Sequence, residues 1–462
     1  MADLVGLTDV VDFCRNKNDF IIVADYDADG ITSSAVLGMA LKRLGKDFKI
    51  FQSRALNYEK LDFVKGMGDN YIFMDFGSNI VSTLEKAFPE GNFAIIDHHK
   101  PEKTGNSPHF NVHLSGGDGS VDLCTSTSAY HVAKRLGDNK DLAAIAIVGA
   151  VADMQDSKGS LTGYNTEVVQ DGIEAGVLEV KKDIRLFGRH SRPLTQFLSY
   201  STDPFLPGLT GNEPACQKFI EDLGITLLKD GNWRYYCDLS LDEKQKFITG
   251  IYVYGKEHDL REASLKNMVG DVYELVKEPE RTELRDAREF GTLLNACGRH
   301  DRPELGIKVC MGDRNQALKD ARNVLQQHRR MLREGIEYVH EKGVQDRGSF
   351  YYMNGEDKIK HTLLGVIMGM LYGALVIKDD KPVLGSAMET PEKVKVSGRA
   401  TWPLVNTGLD LSEVMEAANK LGGIGGGHNI AAGASIPKEK LEDFLKLANE
   451  IISRQMHVAE KA

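Results

Sequence analysis

The sequence has no Cys-x-x-Cys pair. Its six cysteines, Cys14, Cys124, Cys216, Cys237, Cys297 and Cys310, are scattered, so neither a zinc ribbon nor a disulfide framework is expected, and a reducing cytoplasm fits. No basic-then-apolar signal region opens the sequence. The longest apolar stretch, around Leu363 to Val376, is broken by glycine and too short to span a bilayer. The expectation is a soluble, cytoplasmic protein with no membrane partner. Positive charge is not in excess either: 57 Lys and Arg stand against 67 Asp and Glu, a formal net charge of -10. That balance argues against non-specific coating of nucleic acid, which depends on basic side chains displacing counterions. It leaves room for a local basic groove. Repeats and low-complexity tracts are missing, and 42% hydrophobic with 27% charged residues is the composition of an ordinary globular chain.

At 462 residues the chain exceeds one ordinary core, and at roughly 150 residues per domain it should hold two or three. The first part alternates short apolar runs with helical patterns. Phe20 to Ala24 reads as a buried strand, Ile31 to Leu44 as an amphipathic helix, and Phe48 to Phe51, Tyr71 to Met74 and Phe93 to Ile96 as further strands. This is the pattern of a parallel sheet wrapped by helices. Ala143 to Ala152 is apolar throughout and reads as a buried helix. Asp25, Asp75 and Asp97 each follow directly on one of these strands. Ligands of open α/β sheets bind outside the carboxyl ends of the strands, so three acidic groups distant in sequence should converge on one edge.

From about Leu186 the pattern turns polar and irregular, with Pro193, Pro204, Pro207 and Pro214 and a turn at Leu206 to Leu209. Tyr252 to Leu294 reads as mixed helix and strand, and Asp313 to Lys342 as one long helix without proline. The last part carries apolar runs at Ser349 to Met353, Gly373 to Ile377 and Lys393 to Ser397, then a glycine-dense loop and a helix from Lys438 to Arg454. The fold class expected is α/β: an N-terminal parallel-sheet domain (1–205), an inserted mixed α/β segment (206–312), a connecting helix (313–342) and a smaller C-terminal α/β domain (343–462).

Asp25-Tyr26-Asp27-Ala28-Asp29-Gly30 sets three carboxylates at alternate positions after a strand, a donor set suited to hard divalent cations. The plainer alternative is an acidic turn whose Asp29 caps a helix. A calcium loop would need a longer ligand series ending in Glu, which the sequence does not have. In Asp97-His98-His99, adjacent histidines can point apart, one toward a metal and one toward substrate, and a His-plus-Asp set suits manganese better than calcium. A surface histidine pair is the alternative. Asp75 comes from a strand beside the other two and is the natural bridging carboxylate, with Gly77 and Ser78 as donors to a phosphate. Asp153, at the end of an apolar helix, is a ligand candidate only in company with the others. Near the C-terminus, Ser397-Gly398-Arg399-Ala400 and Gly422-Gly423-Ile424-Gly425-Gly426-Gly427-His428, followed by a small-residue helix at Ala431, suggest a loop whose backbone approaches an anion. Arg399 and His428 would be its positive donors, and a flexible turn is the alternative.

Taken together these residues resemble the DHH phosphoesterase family, named for the triplet that stands here as Asp97-His98-His99. The likeness extends over its four N-terminal motifs and its C-terminal associated domain with the Gly425-Gly426-Gly427-His428 signature. It implies that Asp27, Asp29, Asp75, His98 and Asp153 hold two divalent ions, manganese preferred and magnesium possible, with Asp25 and Asp97 supporting the site. It implies a catalytic set of His99, Asp97 and Asp75, with His99 against the scissile phosphate, and a nucleic-acid phosphate held by Ser397, Gly398 and Arg399 together with Gly425 to His428. Within the family, size and the inserted segment most resemble archaeal RecJ-like exonucleases, one of which associates with the GINS replication complex. Single-stranded nucleic acid and that complex are therefore the partners implied.

The reaction expected is manganese-dependent hydrolysis of phosphodiester bonds from a strand end. Two ions sharing Asp75 would activate a water for in-line attack on phosphorus while His99 stabilises charge on the phosphate oxygens. Two readings compete with it: a phosphoesterase of the same family acting on oligoribonucleotides, pAp or cyclic dinucleotides, and a replication scaffold. Arg185, Arg189, Arg192, Arg329, Arg330 and Arg333 are candidates to track a nucleic-acid backbone, unless they are ion-pair partners or a solvated face.

Overall fold

In a parallel sheet both faces are covered, so its strands read as unbroken apolar runs, and those runs form the sheet here. The computed structural model of the protein describes residues 4–459 except 55, 57, 202, 203, 374 and 375. Among the described residues, Phe20–Ala24 (β1), Phe48–Gln52 (β2), Asn70–Met74 (β3), Phe93–Ile96 (β4) and His109–Phe110 (β5) pair in parallel in the order β2-β1-β3-β4-β5. β5 was not expected, because two residues are too few to show a period. Successive side chains go to opposite faces. Ile22, Ala24, Ile72, Met74, Ala94 and Ile96 enter the core under the helices Ala28–Arg43, Thr125–Leu136 and Ala143–Ala152. Ile21, Val23, Tyr71, Phe73, Phe93 and Ile95 enter a second core on the other face.

The Ala28–Arg43 helix starts ahead of the expected Ile31 because Asp27 caps it, accepting from the N–H groups of Asp29 and Gly30. Gly30 is needed for close approach: a Cβ there would lie 2.2 Å from the Asp25 carbonyl oxygen. The Ala143–Ala152 helix is apolar on every side and buried, as such helices are. A Cβ on its Gly149 would stand 2.3 Å from Thr32 Oγ1 and 2.4 Å from Ser126 Cβ, so it meets the Ala28–Arg43 and Thr125–Leu136 helices at van der Waals limit.

The chain forms two units, Met1–Leu325 and Gln326–Ala462, and passes from one to the other within the helix Gln316–Lys342. In the first unit the antiparallel strands Leu178–Ile184 and Val269–Leu275 enclose residues 185–268, a stretch that overlaps the expected inserted segment (206–312) only in part. That stretch has its own core around Phe197, Ile220, Tyr236, Phe247 and Ile251. Its Arg189 is a correction to the sequence reading. It is 1% exposed, bound to Asp183, Glu274 and Asp286 at 2.9, 3.1 and 2.9 Å, and cannot track a nucleic acid. Arg185 is likewise taken up by Asp156. Arg192 lies over the Phe187 and Tyr200 rings, and Arg330 is 3.7 Å from Glu334 on its own helix.

In the second unit a mixed sheet runs Gln345–Asp346, Tyr351–Asn354, Val383–Met388, Lys393–Arg399, Ala431–Pro437, Ile424–Gly427 among the described residues. One core lies between this sheet and the helix His361–Gly373, through Leu364 and Met368. The other lies beneath the helix Leu441–Ala459, through Phe444, Ala448 and Ile452. The expected glycine loop and small-residue helix are corrected: Gly425 to Gly427 lie in a strand and Ala431 begins its antiparallel partner. Of the run Gly373 to Ile377, Ala374 and Leu375 lie outside the described residues, and Gly373 ends a helix. Among the described residues no helix is long and apolar enough to cross a membrane.

Gly149→Ala should overpack this junction and cost about 1–3 kcal/mol, read as a lowered midpoint in urea unfolding. Glu243 supplies a pH test. It grips Arg234 at 2.8 and 2.7 Å, chiefly through which its carboxyl is held down at about 2 from 4.5. A depressed carboxyl stabilises the fold above its unfolded value and loses that contribution as pH falls through the folded one. Wild type should therefore lose its stability advantage over Glu243→Gln between about pH 4.5 and 2 in thermal unfolding.

Candidate metal centre

The backbone ladder of the sheet continues one residue past each strand. Asp25 N–H donates to Met74 O at 3.2 Å, Asp75 N–H to Ile96 O at 3.0 Å, and Asp97 N–H to Phe110 O at 3.1 Å. Three carboxylates thus stand side by side on adjacent strands, at the spacing of about 4.8 Å that strand pairing imposes. Asp75 has φ 64°, a left-handed conformation that Asp and Asn tolerate better than most side chains.

Each carboxylate is then fixed differently. Asp27 spends Oδ1 on its cap, at 3.0 Å from Asp29 N and 3.1 Å from Gly30 N. Asp29 accepts from Thr125 N and Ser126 N, both at 2.8 Å, so it is docked on the N-terminus of the Thr125–Leu136 helix, where main-chain N–H groups are free to receive an anion. Asp75 Oδ1 accepts from Thr125 Oγ1 at 3.0 Å. Asp97 is fully buried and saturated: Oδ1 accepts from the N–H groups of His98 and His99, at 2.8 and 3.1 Å, and lies 2.8 Å from His99 Nδ1, while Oδ2 accepts from Ser78 N at 2.9 Å. It orients His99, whose ring is the half-exposed one.

His98 Nδ1 donates to Gly119 O at 2.7 Å. That bond leaves Nε2 as the electron-pair donor, aimed 3.3 Å from Asp75 Oδ1 and 3.9 Å from Asp29 Oδ2. Asp153 caps the C-terminus of the Ala143–Ala152 helix and brings Oδ2 to 3.8 Å from His98 Nδ1. Among the described residues three groups have ligand atoms within 4.8 Å of one another: Asp25 with Asp27 and Asp75, Asp29 with His98 and Asp153, and Asp75 with His98 and His99. Asp75 and His98 each belong to two groups; a carboxylate such as Asp75 can bridge two cations, whereas His98, with Nδ1 on Gly119 O, has one lone pair and can serve one.

Electrostatics gives the same account. Burial first pushes Asp25 and Asp75 well above the usual carboxylate range and Asp29 above it; the charge of Asp27 raises all three, and that of Asp29 raises Asp25 and Asp75 as well. Burial raises Asp153 to about 7. On His98 burial works downward, but Asp153, Asp75 and Asp29 outweigh it and raise its pKa well above 6.5. Burial would lift Asp97 too, yet the two histidines hold it below the usual range. An oxygen-rich set with one imidazole, crowded with negative charge and held by outer hydrogen bonds, fits divalent ions of the magnesium and manganese type.

In the second unit, Ser397, Gly398 and Arg399 face Gly433, Ala432 and Ala431, while Gly425, Gly426 and Gly427 face Ala434, Gly433 and Ala432 on the other side of the same strand. The two motifs are thereby brought together, with His428 N–H on Ala431 O at 2.9 Å. Arg399 lies along the His361–Gly373 helix over Gly365 and Gly369. A Cβ on Gly365 would be 2.5 Å from its Nη2. Those glycines, the Thr125 and Ser126 N–H groups and the Gly119 carbonyl escaped the sequence reading. Four consecutive hydroxyl residues, Thr125 to Ser128, are the one signal that could have drawn attention to the helix N-terminus.

Comparison with known proteins agrees with this geometry. Residues 19–152 match the DHH family N-terminal domain, 186–269 the DHH-CID domain and 357–454 the DHHA1 domain. An uncharacterised protein of Methanocaldococcus jannaschii is 30% identical over 444 residues, 94% of this chain and 93% of that one. The chain belongs to the DHH family. Exonuclease RecJ bound to manganese is similar in fold at 16% identity, with a TM-score of 0.58 over 98% of this chain and 95% of that one. CDC45 from Entamoeba histolytica is similar at 16% identity, with a TM-score of 0.64 over 96% and 97%. The fold is that of RecJ-like DHH phosphoesterases.

Because the folded-state pKa of Asp75 lies above 3.8, its charged form costs stability at neutral pH. Asn keeps the shape and tolerates the positive φ. Asp75→Asn should leave the metal-free protein as heat-stable as wild type or more so, and added Mn2+ should raise the melting temperature of wild type but not of the variant, both read by differential scanning fluorimetry.

Proposed function

We propose that the chain is a metal-dependent exonuclease that hydrolyses phosphodiester bonds of single-stranded nucleic acid from an end. The observation that carries this is that Asp75 falls in two neighbouring ligand groups, one with Asp25 and Asp27 and one with His98, as a carboxylate bridging two cations on one phosphate would. Asp27, Asp29, Asp75, His98 and Asp153 would hold two divalent ions, manganese in preference to magnesium, with Asp25 beside them. Ions bound there would supply Lewis acidity to a phosphoryl oxygen and to the attacking water. His99, oriented through Nδ1 by Asp97, presents Nε2 to a non-bridging phosphate oxygen, where a donor stabilises the charge that develops during in-line displacement. Ser397 to Arg399 and Gly425 to His428 would take a further phosphate of the strand.

A scaffold role in replication is the second reading, favoured by the likeness to CDC45 over nearly the whole of both chains. It would use the inserted segment, where Leu228 and Trp233 face each other across a hairpin and are about half exposed. The GINS complex is the partner that the RecJ-like resemblance implies. The intact set of ligands ranks chemistry first.

Incubation of the purified protein and Mn2+ with end-labelled DNA and RNA single strands, from dinucleotide to long, should give a ladder of progressively shortened products. The ladder should vanish with Asp75→Asn and fall steeply with Arg399→Ala. Cleavage confined to the shortest species would select the small-substrate phosphoesterase, and no cleavage of any strand would select the scaffold.

A further inference from the structure

The metal ligand Asp153 is followed by a loop whose next residues are pinned far more heavily than a surface loop would be. Gln155 is buried at 1% exposure, and its Nε2 donates both to Gly119 O at 2.8 Å and to Asp153 Oδ2 at 3.2 Å. Asn165 Nδ2 donates to its Oε1 at 2.7 Å and fixes which way the amide faces. Gly119 O is also the acceptor of His98 Nδ1. One carbonyl and one amide therefore tie the Asp153 carboxylate to the His98 imidazole.

The following residue, Asp156, is 1% exposed and is gripped from two directions. Arg185 Nη2 lies 2.7 Å from its Oδ2 and donates to its carbonyl oxygen at 2.7 Å. Arg288 Nη2 lies 2.6 Å from the same Oδ2. The arginines come from separate elements. Arg185 directly follows the strand Leu178–Ile184, on the way into the inserted segment, and Arg288 is in the first turn of the helix Ala287–Arg299. Between ligand and clamp, Met154 has φ 60°, a conformation costly for its side chain that persists only when its surroundings enforce it.

Resting on the metal-centre reading, we propose that Gln155 and the Arg185–Asp156–Arg288 clamp are positioning residues for the cation site, so that its affinity is set from the inserted segment and the Ala287–Arg299 helix. None of them touches substrate. Their effect is exerted on the placement of Asp153 and His98, and residues that orient ligands typically change metal affinity by 10–100-fold when lost. Arg288 is partly exposed and Arg185 is buried, so water can reach the place Arg288 vacates more readily.

The test measures Mn2+ binding by the electron paramagnetic resonance signal of free Mn2+, alongside urea unfolding of the metal-free protein, for wild type, Arg288→Ala, Arg288→Lys, Gln155→Met and Glu243→Gln. Arg288→Ala and Gln155→Met should weaken Mn2+ binding about tenfold or more, with Arg288→Lys recovering part of the loss. Glu243→Gln breaks an ion pair with Arg234 that involves neither the loop nor its clamp and should weaken stability while leaving Mn2+ affinity as in wild type. Gln155→Met touches neither arginine, so it decides the matter if Arg288→Ala does not fold. Affinity within about twofold of wild type in Gln155→Met and in any folded Arg288→Ala, below the range expected for an orienting residue, overturns the inference alone. A loss in Glu243→Gln equal to theirs also overturns it. A wild-type protein that binds no Mn2+ overturns the metal-centre reading and this inference with it.

Discussion

Like charge crowded at one edge of a parallel sheet is the constraint around which the first unit is built. Two unit charges about 4 Å apart repel by about 4 kcal/mol at an effective dielectric constant near 20, and a whole domain has only about 5–15 kcal/mol of net stability. Asp25, Asp27, Asp29, Asp75 and Asp153 cannot all be ionised there without opposing charge. The carboxyls of Asp25, Asp75 and Asp153 and the His98 imidazole are all pushed upward by that environment. Divalent cations at the candidate site would relieve it with greater charge and directional bonds, so the same crowding that strains the edge suits it to such a ligand.

Neighbouring carboxylates in this edge are made unlike by hydrogen bonding alone. Asp25, Asp75 and Asp97 all follow a strand and continue its ladder. Yet Asp97 accepts four bonds from the main chain and from His99, three of them on the Oδ1 that holds the His99 ring. Asp75 accepts from one hydroxyl and faces His98. Two residues in equivalent places therefore divide the work: one orients an imidazole, the other is open to bridging.

The sequence could disclose the places but not that division. Strand ends are legible because apolar runs of four or five residues mark β1, β3 and β4, and in each the following Asp is the next letter. The Ala143–Ala152 helix is legible because it is apolar throughout. Saturation of Asp97 depends on Ser78, distant in the chain, and the holding of Asp29 depends on N–H groups, which carry no letter. The arginines show the same limit: Arg189 looks like any cation in an irregular stretch, and its burial among three carboxylates is fixed by strand pairing and a helix start nearly a hundred residues away. Glycines that form a strand have no side chains to alternate, which is why Gly425 to Gly427 read as a loop.

Main-chain approach, more than side-chain complementarity, builds both candidate binding regions. In the first unit Gly30 lets the helix after β1 fold back on Asp25, and the Thr125–Leu136 helix presents bare N–H groups to Asp29. In the second, Gly365 lets Arg399 lie along a helix, and Gly427 meets Ala432 where a Cβ would stand 2.6 Å from its Cα. A methyl at any of these points would displace backbone or a fixed guanidinium, which costs more than the loss of one flexible contact. The charged residues name the chemistry, but the tolerance of each region to change is set by residues that carry no chemistry of their own.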